Sequence, residues 1–171
     1  RGKGGTDFPR LLEKTALVEG IDRIRFMTSH PKDLSDELIQ VMKESKKIAR
    51  HLHLPLQSGS SRILKIMNRR YDKEKYVELA LKIRKEIPDI ALTTDIIVGF
   101  PGETEEDFNE LKEFVQKARF DRMGAFAYSE EEGTYAAEAY EDSIPSEVKQ
   151  ARLDELMSIQ QGISADLSAA K

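Results

Sequence analysis

Asp95 is the residue whose type and setting most clearly invite chemistry. It sits in Thr93-Thr94-Asp95-Ile96-Ile97-Val98, a β-branched run that reads as a buried parallel strand delivering the chain to Gly99 and a tight Pro101-Gly102 turn. A buried carboxylate needs a partner. That partner is either the hydroxyl groups of a ligand in an open crevice or a neighbouring Arg, Lys or His inside the fold. Other polar residues collect where strands give way to loops: Thr28 and His30, then Gln57, Ser58, Gly59 and Ser60, then Tyr128 to Glu132. In the loop Gly99-Phe100-Pro101, glycine lets the flat face of a base or a backbone approach closely. The turn that follows, Thr104-Glu105-Glu106-Asp107, already complements a helix dipole and repels phosphate, so the loop suits a neutral or cationic ligand. The plain alternative is a turn followed by a good helix cap.

Other candidates carry less. His51 and His53 share one strand face and could chelate a metal, but with His30 as the sole third histidine they read better as polar residues lining an interior or an edge. Basic residues cluster at Lys43, Lys46, Lys47 and Arg50 and again at Lys82, Arg84 and Lys85, each group with acids nearby, the pattern of solvated helix faces. No nucleophile triad, P-loop or HExxH appears. The residues alone therefore describe an α/β ligand-binding scaffold, with no catalytic residue and no metal site assigned.

The elements that must position these side chains follow from periodicity. Helices are expected from Pro9, which suits a first turn, through an apolar stripe of Leu11, Leu12, Ala16 and Leu17 that ends at Gly20, and after Ser35, a cap for the apolar positions Leu38, Ile39 and Met42. A short helix follows Ser60, and a longer one covers residues 73–87 with Tyr76, Leu79, Ala80 and Ile83 on one face. Another starts at Thr104 with Phe108, Leu111 and Val115 buried, and a long one starts near Ser146. Strands are expected at residues 24–27, 51–54, 90–98 and 122–128, with a loop over 129–137. Four strands alternating with helices at roughly 30-residue intervals predict βαβ units and a parallel sheet. Functional residues should then gather at the carboxyl edge of the sheet.

Composition sets the outer bounds. The chain has 171 residues, enough for one domain with a core. With 34% charged residues, no signal peptide and no apolar run long enough to span a membrane, the cytoplasm is expected and a membrane partner is not. A net charge of −4 argues against a dominant phosphate-binding surface. Cysteine is absent, which excludes disulfides, thiol nucleophiles and thiolate ligation by this chain. The first residue is Arg1 and Lys171 stops in a helical pattern, so a piece of a longer protein is expected.

Four motifs carry a family resemblance. Ser-His-Pro-Lys-Asp at 29–33, His-Leu-Pro-Leu-Gln-Ser-Gly-Ser at 53–60, Met-Asn-Arg at 67–69 and Thr-Asp-Ile-Ile-Val-Gly-Phe-Pro-Gly-Glu-Thr-Glu-Glu-Asp-Phe at 94–108 resemble the radical S-adenosylmethionine methylthiotransferases. The resemblance implies about four βα units of a partial parallel (β/α)6 barrel over residues 1–144. Residues 145–171 would then be a helix leading to an RNA-binding domain outside this sequence. It implies S-adenosylmethionine as cofactor, with Gln57 and Asp95 on the ribose hydroxyls and Arg69 on the methionyl carboxylate. The loop Gly99, Phe100 and Pro101 and the strand end at Tyr128 would line the adenine, and Ser58 would stand in the same wall. It also implies 4Fe-4S clusters held by cysteines outside this chain, so that the chain alone is expected to be inert. Residues up to about 105 resemble the branch that modifies an isopentenylated adenosine beside the anticodon of tRNA. From Asn109 onward, Phe120-Asp121-Arg122-Met123-Gly124-Ala125-Phe126 is more like the branch that modifies an aspartate of a small-subunit ribosomal protein. The tRNA branch covers more of the chain and is the expected one. Oligomeric state is open, although an unclosed sheet leaves edges that favour self-association.

Overall fold

A computed structural model describes residues 7–27 and 34–170. In chain order its elements are α1 (Phe8–Ala16), α2 (Asp36–Glu44), β1 (His51–His53), α3 (Ser61–Ile66), α4 (Lys73–Glu86), β2 (Ala91–Val98), α5 (Glu105–Ala118), β3 (Arg122–Ala127), α6 (Tyr135–Ala139) and α7 (Ser146–Ala169). The strands form a parallel sheet in the order β1-β2-β3. His51 pairs with Ala91 and His53 with Thr93; Thr93 pairs with Arg122, Asp95 with Gly124 and Ile97 with Phe126. Helices join each strand to the next, so the fold is the α/β arrangement of a partial parallel barrel closed by a long C-terminal helix.

Two details differ from the sequence pattern. The segment expected as a first strand makes one parallel bridge, Ile24 to Ile48, through bonds of 2.7 Å and 2.9 Å. It stands at the sheet edge, where a single pair of bonds fixes it. The loop expected over residues 129–137 contains the start of α6, capped by Thr134 (Ala137 N–H to Thr134 Oγ1, 3.3 Å). Five residues are too few to leave a periodic signature.

Alternation sorts the sheet into two faces. Leu52, Leu92, Ile96, Val98 and Met123 are buried in one core with Tyr76, Ile83, Phe108, Leu111 and Phe120. His51, His53, Thr93, Asp95, Ile97, Arg122, Gly124 and Phe126 fall on the other face. Several singled-out polar residues do structural work. The Arg50 guanidinium caps the carboxyl end of α2, donating to the carbonyls of Met42 and Lys43. The Arg84 guanidinium does the same beyond α5, donating to Ala118 O at 2.6 Å and Arg119 O at 2.8 Å. Among the described residues no helix is long and apolar enough to cross a membrane.

The long helix α7 docks through buried polar side chains. Arg152 donates to Glu103 Oε1 at 2.8 Å, and Glu103 Oε1 accepts from the Gly99 amide at 2.8 Å. Lys149 reaches the Tyr128 carbonyl at 3.3 Å and pairs with Asp142. Gln160 donates to the Phe120 carbonyl at 2.8 Å. Each bond replaces solvation lost on burial, so α7 is tied to one position on the sheet.

Candidate functional site

Three of the concavities among the described residues compete. An apolar cleft of about 230 Å³ lies between α4 and α5. A basic one of about 700 Å³ lies at the amino-terminal edge of the sheet, among Arg23, Arg25, Lys46, Arg50 and Arg122. The third, of about 460 Å³, lies at the carboxyl edge and is lined by Gln57, Asp95, Ile97, Phe126, Tyr128 and Ser129, with Glu131 and Thr134 at its border. Position selects the third, because ligands of parallel α/β folds bind at the carboxyl ends of the strands. Its size is that of a small-molecule site.

The chain places Gln57 there by a bulge. Leu54 N–H donates to Thr93 O (2.8 Å) and Gln57 N–H to Asp95 O (2.9 Å), so three steps along one chain match two along β2. Pro55 has no N–H to offer the ladder, and Leu56 N–H turns to the Thr94 hydroxyl at 3.0 Å. Two tyrosines secure the detour: Tyr76 donates to Leu54 O at 2.7 Å and Tyr71 to Leu56 O at 2.9 Å. Gln57 ends in the left-handed region, φ +75°, with its backbone fully engaged by β2. Bulges beside active sites re-aim a side chain in this way.

Asp95 differs from the sequence expectation. Its side chain is 41% exposed, not buried, and its Oδ2 lies 3.2 Å from His53 Nε2. Both proposed kinds of partner are therefore accommodated: a histidine on one oxygen and an open groove beyond. Gly124, opposite Asp95 on β3, makes room for the carboxylate, because a Cβ there would come within 2.6 Å of Asp95 Oδ1. A glycine inside a strand marks such close approaches, and that signal was present in the sequence. Phe126, 58% exposed, adds a flat apolar wall beside Ile97. Tyr128 turns its ring onto Phe100 (5.1 Å between centroids) and leaves its hydroxyl buried without a hydrogen-bond partner. Burial first, then Glu130 and Asp142, pushes that phenol upward.

Of the eight residues singled out for a ligand, Gln57, Asp95 and Tyr128 line this groove; the other five do not. Ser58 is 1% exposed and its hydroxyl accepts from the Ser60 amide at 3.2 Å. Gly99, at φ +69°, lies under α7, where a Cβ would meet Lys149 Cγ at 2.4 Å. Phe100 and Pro101 are buried beside it. Arg69 follows the left-handed Asn68 at the end of α3 and keeps its Nε buried without a hydrogen-bond partner. Thr28 and His30 lie outside the described residues. Among the described residues no group of three or more His, Asp and Glu could hold a metal ion. His51 and His53 instead bond to Arg25, Thr93 and Asp95.

The sequence profile of the radical SAM superfamily matches residues 4–115, more than half of the chain. The chain belongs to the radical SAM superfamily. It is 58% identical over 163 residues to the ribosomal protein uS12 methylthiotransferase RimO of Bacteroides thetaiotaomicron, covering 95% of this chain and 37% of that protein. It is 54% identical over 164 residues to the tRNA-2-methylthio-N(6)-dimethylallyladenosine synthase of Acetivibrio thermocellus, covering 96% and 34%. The chain thus spans little more than a third of these relatives. Among solved structures, the radical SAM enzyme coproporphyrinogen III oxidase (HemN) of Escherichia coli superposes with a TM-score of 0.68 at 19% identity, covering 82% of this chain and 32% of that one. At that identity the likeness speaks for the fold alone.

Proposed function

We propose that this chain is part of a radical SAM methylthiotransferase and that the groove at the carboxyl edge holds the nucleoside of S-adenosylmethionine. The observation that carries the reading is the meeting of Gln57 and Asp95 at one groove, beside the apolar wall of Ile97 and Phe126. A carboxylate and an amide oxygen accept from the two hydroxyls of a ribose, and an exposed ring suits the face of a purine. Bound there, the cofactor supplies the adenosyl group from which radical chemistry starts. The chain's own contribution is to bind and orient it. The chain offers no thiolate, so it does not fit an iron–sulfur cluster. The 4Fe-4S clusters of the parent enzyme would be ligated outside this sequence, and this chain alone would not turn over.

The substrate read from the longer stretch of motifs is tRNA, at an isopentenylated adenosine beside the anticodon. The 58% identity to a ribosomal protein uS12 methylthiotransferase favours a second reading, an aspartate of that protein. Both place the same chemistry on the same groove.

Titration calorimetry of the 171-residue chain with S-adenosylmethionine tests the groove. Saturable binding is expected, weakened at least tenfold in Asp95→Ala, since a hydrogen bond to a charged group contributes about 1.5–3 kcal/mol. No heat of binding from the wild-type chain would overturn the reading. Gly124→Ala is expected to weaken binding about tenfold as well, because its methyl pushes the Asp95 carboxylate aside. The displaced atom is the end of a half-exposed side chain, so the thermal midpoint should stay within about 3 °C of wild type. Unchanged affinity in Gly124→Ala would show that the carboxylate's position does not matter.

A further inference from the structure

We infer that His53 is a positioning residue that holds the Asp95 carboxylate toward the groove, and that it is itself oriented by a hydrogen-bonded file of Thr93, His51 and Arg25 along the sheet face that carries Asp95. The inference rests on the reading of the groove given above and extends it to four residues that do not line the groove beside Gln57.

The distances define the file. His53 Nε2 lies 3.2 Å from Asp95 Oδ2, and His53 Nδ1 lies 3.0 Å from Thr93 Oγ1. Thr93 Oγ1 lies 3.3 Å from His51 Nε2, and Arg25 Nε donates to His51 Nδ1 at 3.3 Å. The parallel register makes this possible, since His53 pairs with Thr93 and both share a face with His51 and Asp95.

Donor chemistry gives each link a direction once Arg25 Nε is taken as the donor to His51 Nδ1. An ionised carboxylate only accepts, so His53 Nε2 carries the hydrogen. At pH 8 an imidazole carries one ring hydrogen, which leaves Nδ1 as an acceptor, so the Thr93 hydroxyl donates to it. That hydroxyl has one proton and must accept from its other neighbour, which places a hydrogen on His51 Nε2. His51 Nδ1 is then the acceptor that the Arg25 guanidinium requires. Burial, and next to it Arg25, lower the His51 pKa, in keeping with a neutral ring. One contact opposes this order. A second nitrogen of Arg25 lies 2.9 Å from His51 Nε2; a hydrogen donated there would reverse both links at the Thr93 hydroxyl, and His53 would then need a hydrogen on both ring nitrogens to keep its bond to Asp95.

The file ends in a grip. His53, 12% exposed, holds one carboxylate oxygen, while the missing Cβ of Gly124 admits the other. A half-exposed aspartate would otherwise sample several rotamers, and each would have to be given up on binding.

Two measurements test the proposal. Two-bond 1H–15N spectra of the histidine rings of the ligand-free chain at pH 8 should show the Nε2–H form for both His53 and His51. Asp95→Ala, which removes the acceptor at Nε2, should weaken that preference at His53, whereas Thr93→Val should leave it in place. An Nδ1–H form at His53 in the wild type would overturn the file. In calorimetry with S-adenosylmethionine, His53→Ala should bind about tenfold more weakly. His53→Gln, whose amide can donate at similar reach, should return to within about threefold of wild type. Equal affinity of His53→Ala and wild type, or equal losses in both variants, would overturn the positioning role. A wild-type chain that does not bind the cofactor overturns the reading of the groove, and the spectra, which need no ligand, still decide the file.

Discussion

Arg152→Met is expected to destabilise the chain by about 3–5 kcal/mol, the cost of leaving one half of a buried ion pair alone. The Arg152 and Glu103 side chains are 9% and 1% exposed, so the pair is shielded from solvent. Methionine keeps an apolar chain of similar length and gives up the guanidinium, including its place over the Phe108 ring at 5.4 Å, so the loss reports the charged group. For a chain of this length the thermal midpoint should fall by roughly 10 °C. Burial, opposed by the Gly99 amide and by Arg152, already raises the Glu103 pKa. Without Arg152 it rises further above its unfolded value. The penalty is then full above the folded pKa and shrinks as pH falls through it, because the folded state can take up the proton. The variant should therefore regain part of its midpoint on mild acidification, and thermal scans from pH 8 to 5 check this. The double variant Glu103→Gln with Arg152→Met should recover most of the stability, since neither charge is then stranded.

Asp107→Ala is the second large effect, about 2–4 kcal/mol by urea unfolding. This buried carboxylate accepts from the Ser60 hydroxyl at 2.7 Å, from the Thr104 amide and hydroxyl at 2.9 Å each, and from Arg62 Nε at 3.2 Å. Thr104 Oγ1 accepts in return from the Asp107 amide, which completes a capping box at the start of α5. Ser60 is the cap of α3, so one carboxylate joins the starts of two helices. Arg62 is half exposed and contributes the smaller share. Burial works upward on the Asp107 pKa, but Arg62, the Thr104 amide and Ser60 together hold it well below the usual range. A depressed pKa brings stability that is present above the unfolded value, about 3.9, and is lost as pH falls through the folded one. Wild type should therefore weaken below about pH 4, and Asp107→Ala should show less of that dependence.

Local structure is legible in the sequence. The cap at Ser60, the helix start at Thr104 and the strand ending at Val98 are each settled within a few residues by hydroxyl caps and β-branched runs, and the structure places them as expected. What failed to show was contact over long distances along the chain. Gly99 reads as a point of ligand approach because nothing nearby in sequence suggests that Lys149, fifty residues on, covers it. Asp95 reads as buried because its neighbours Ile96 and Val98 are, yet alternation puts it on the other face, with His53. Pro55 marks the end of the alternating run His51 to Leu54, but the left-handed turn at Gln57 is visible only in the paired backbone.

The bulge between His53 and Gln57 makes this stretch intolerant of length change. Removing one residue between Leu54 and Gln57 would let the hydrogen-bond ladder run on unbroken and would rotate the glutamine amide into the hydrocarbon packing behind the sheet. The domain could survive that deletion while its ligand would find only half a grip. Variation in this stretch should therefore occur by exchange of one side chain for another, and scarcely ever by gain or loss of a codon.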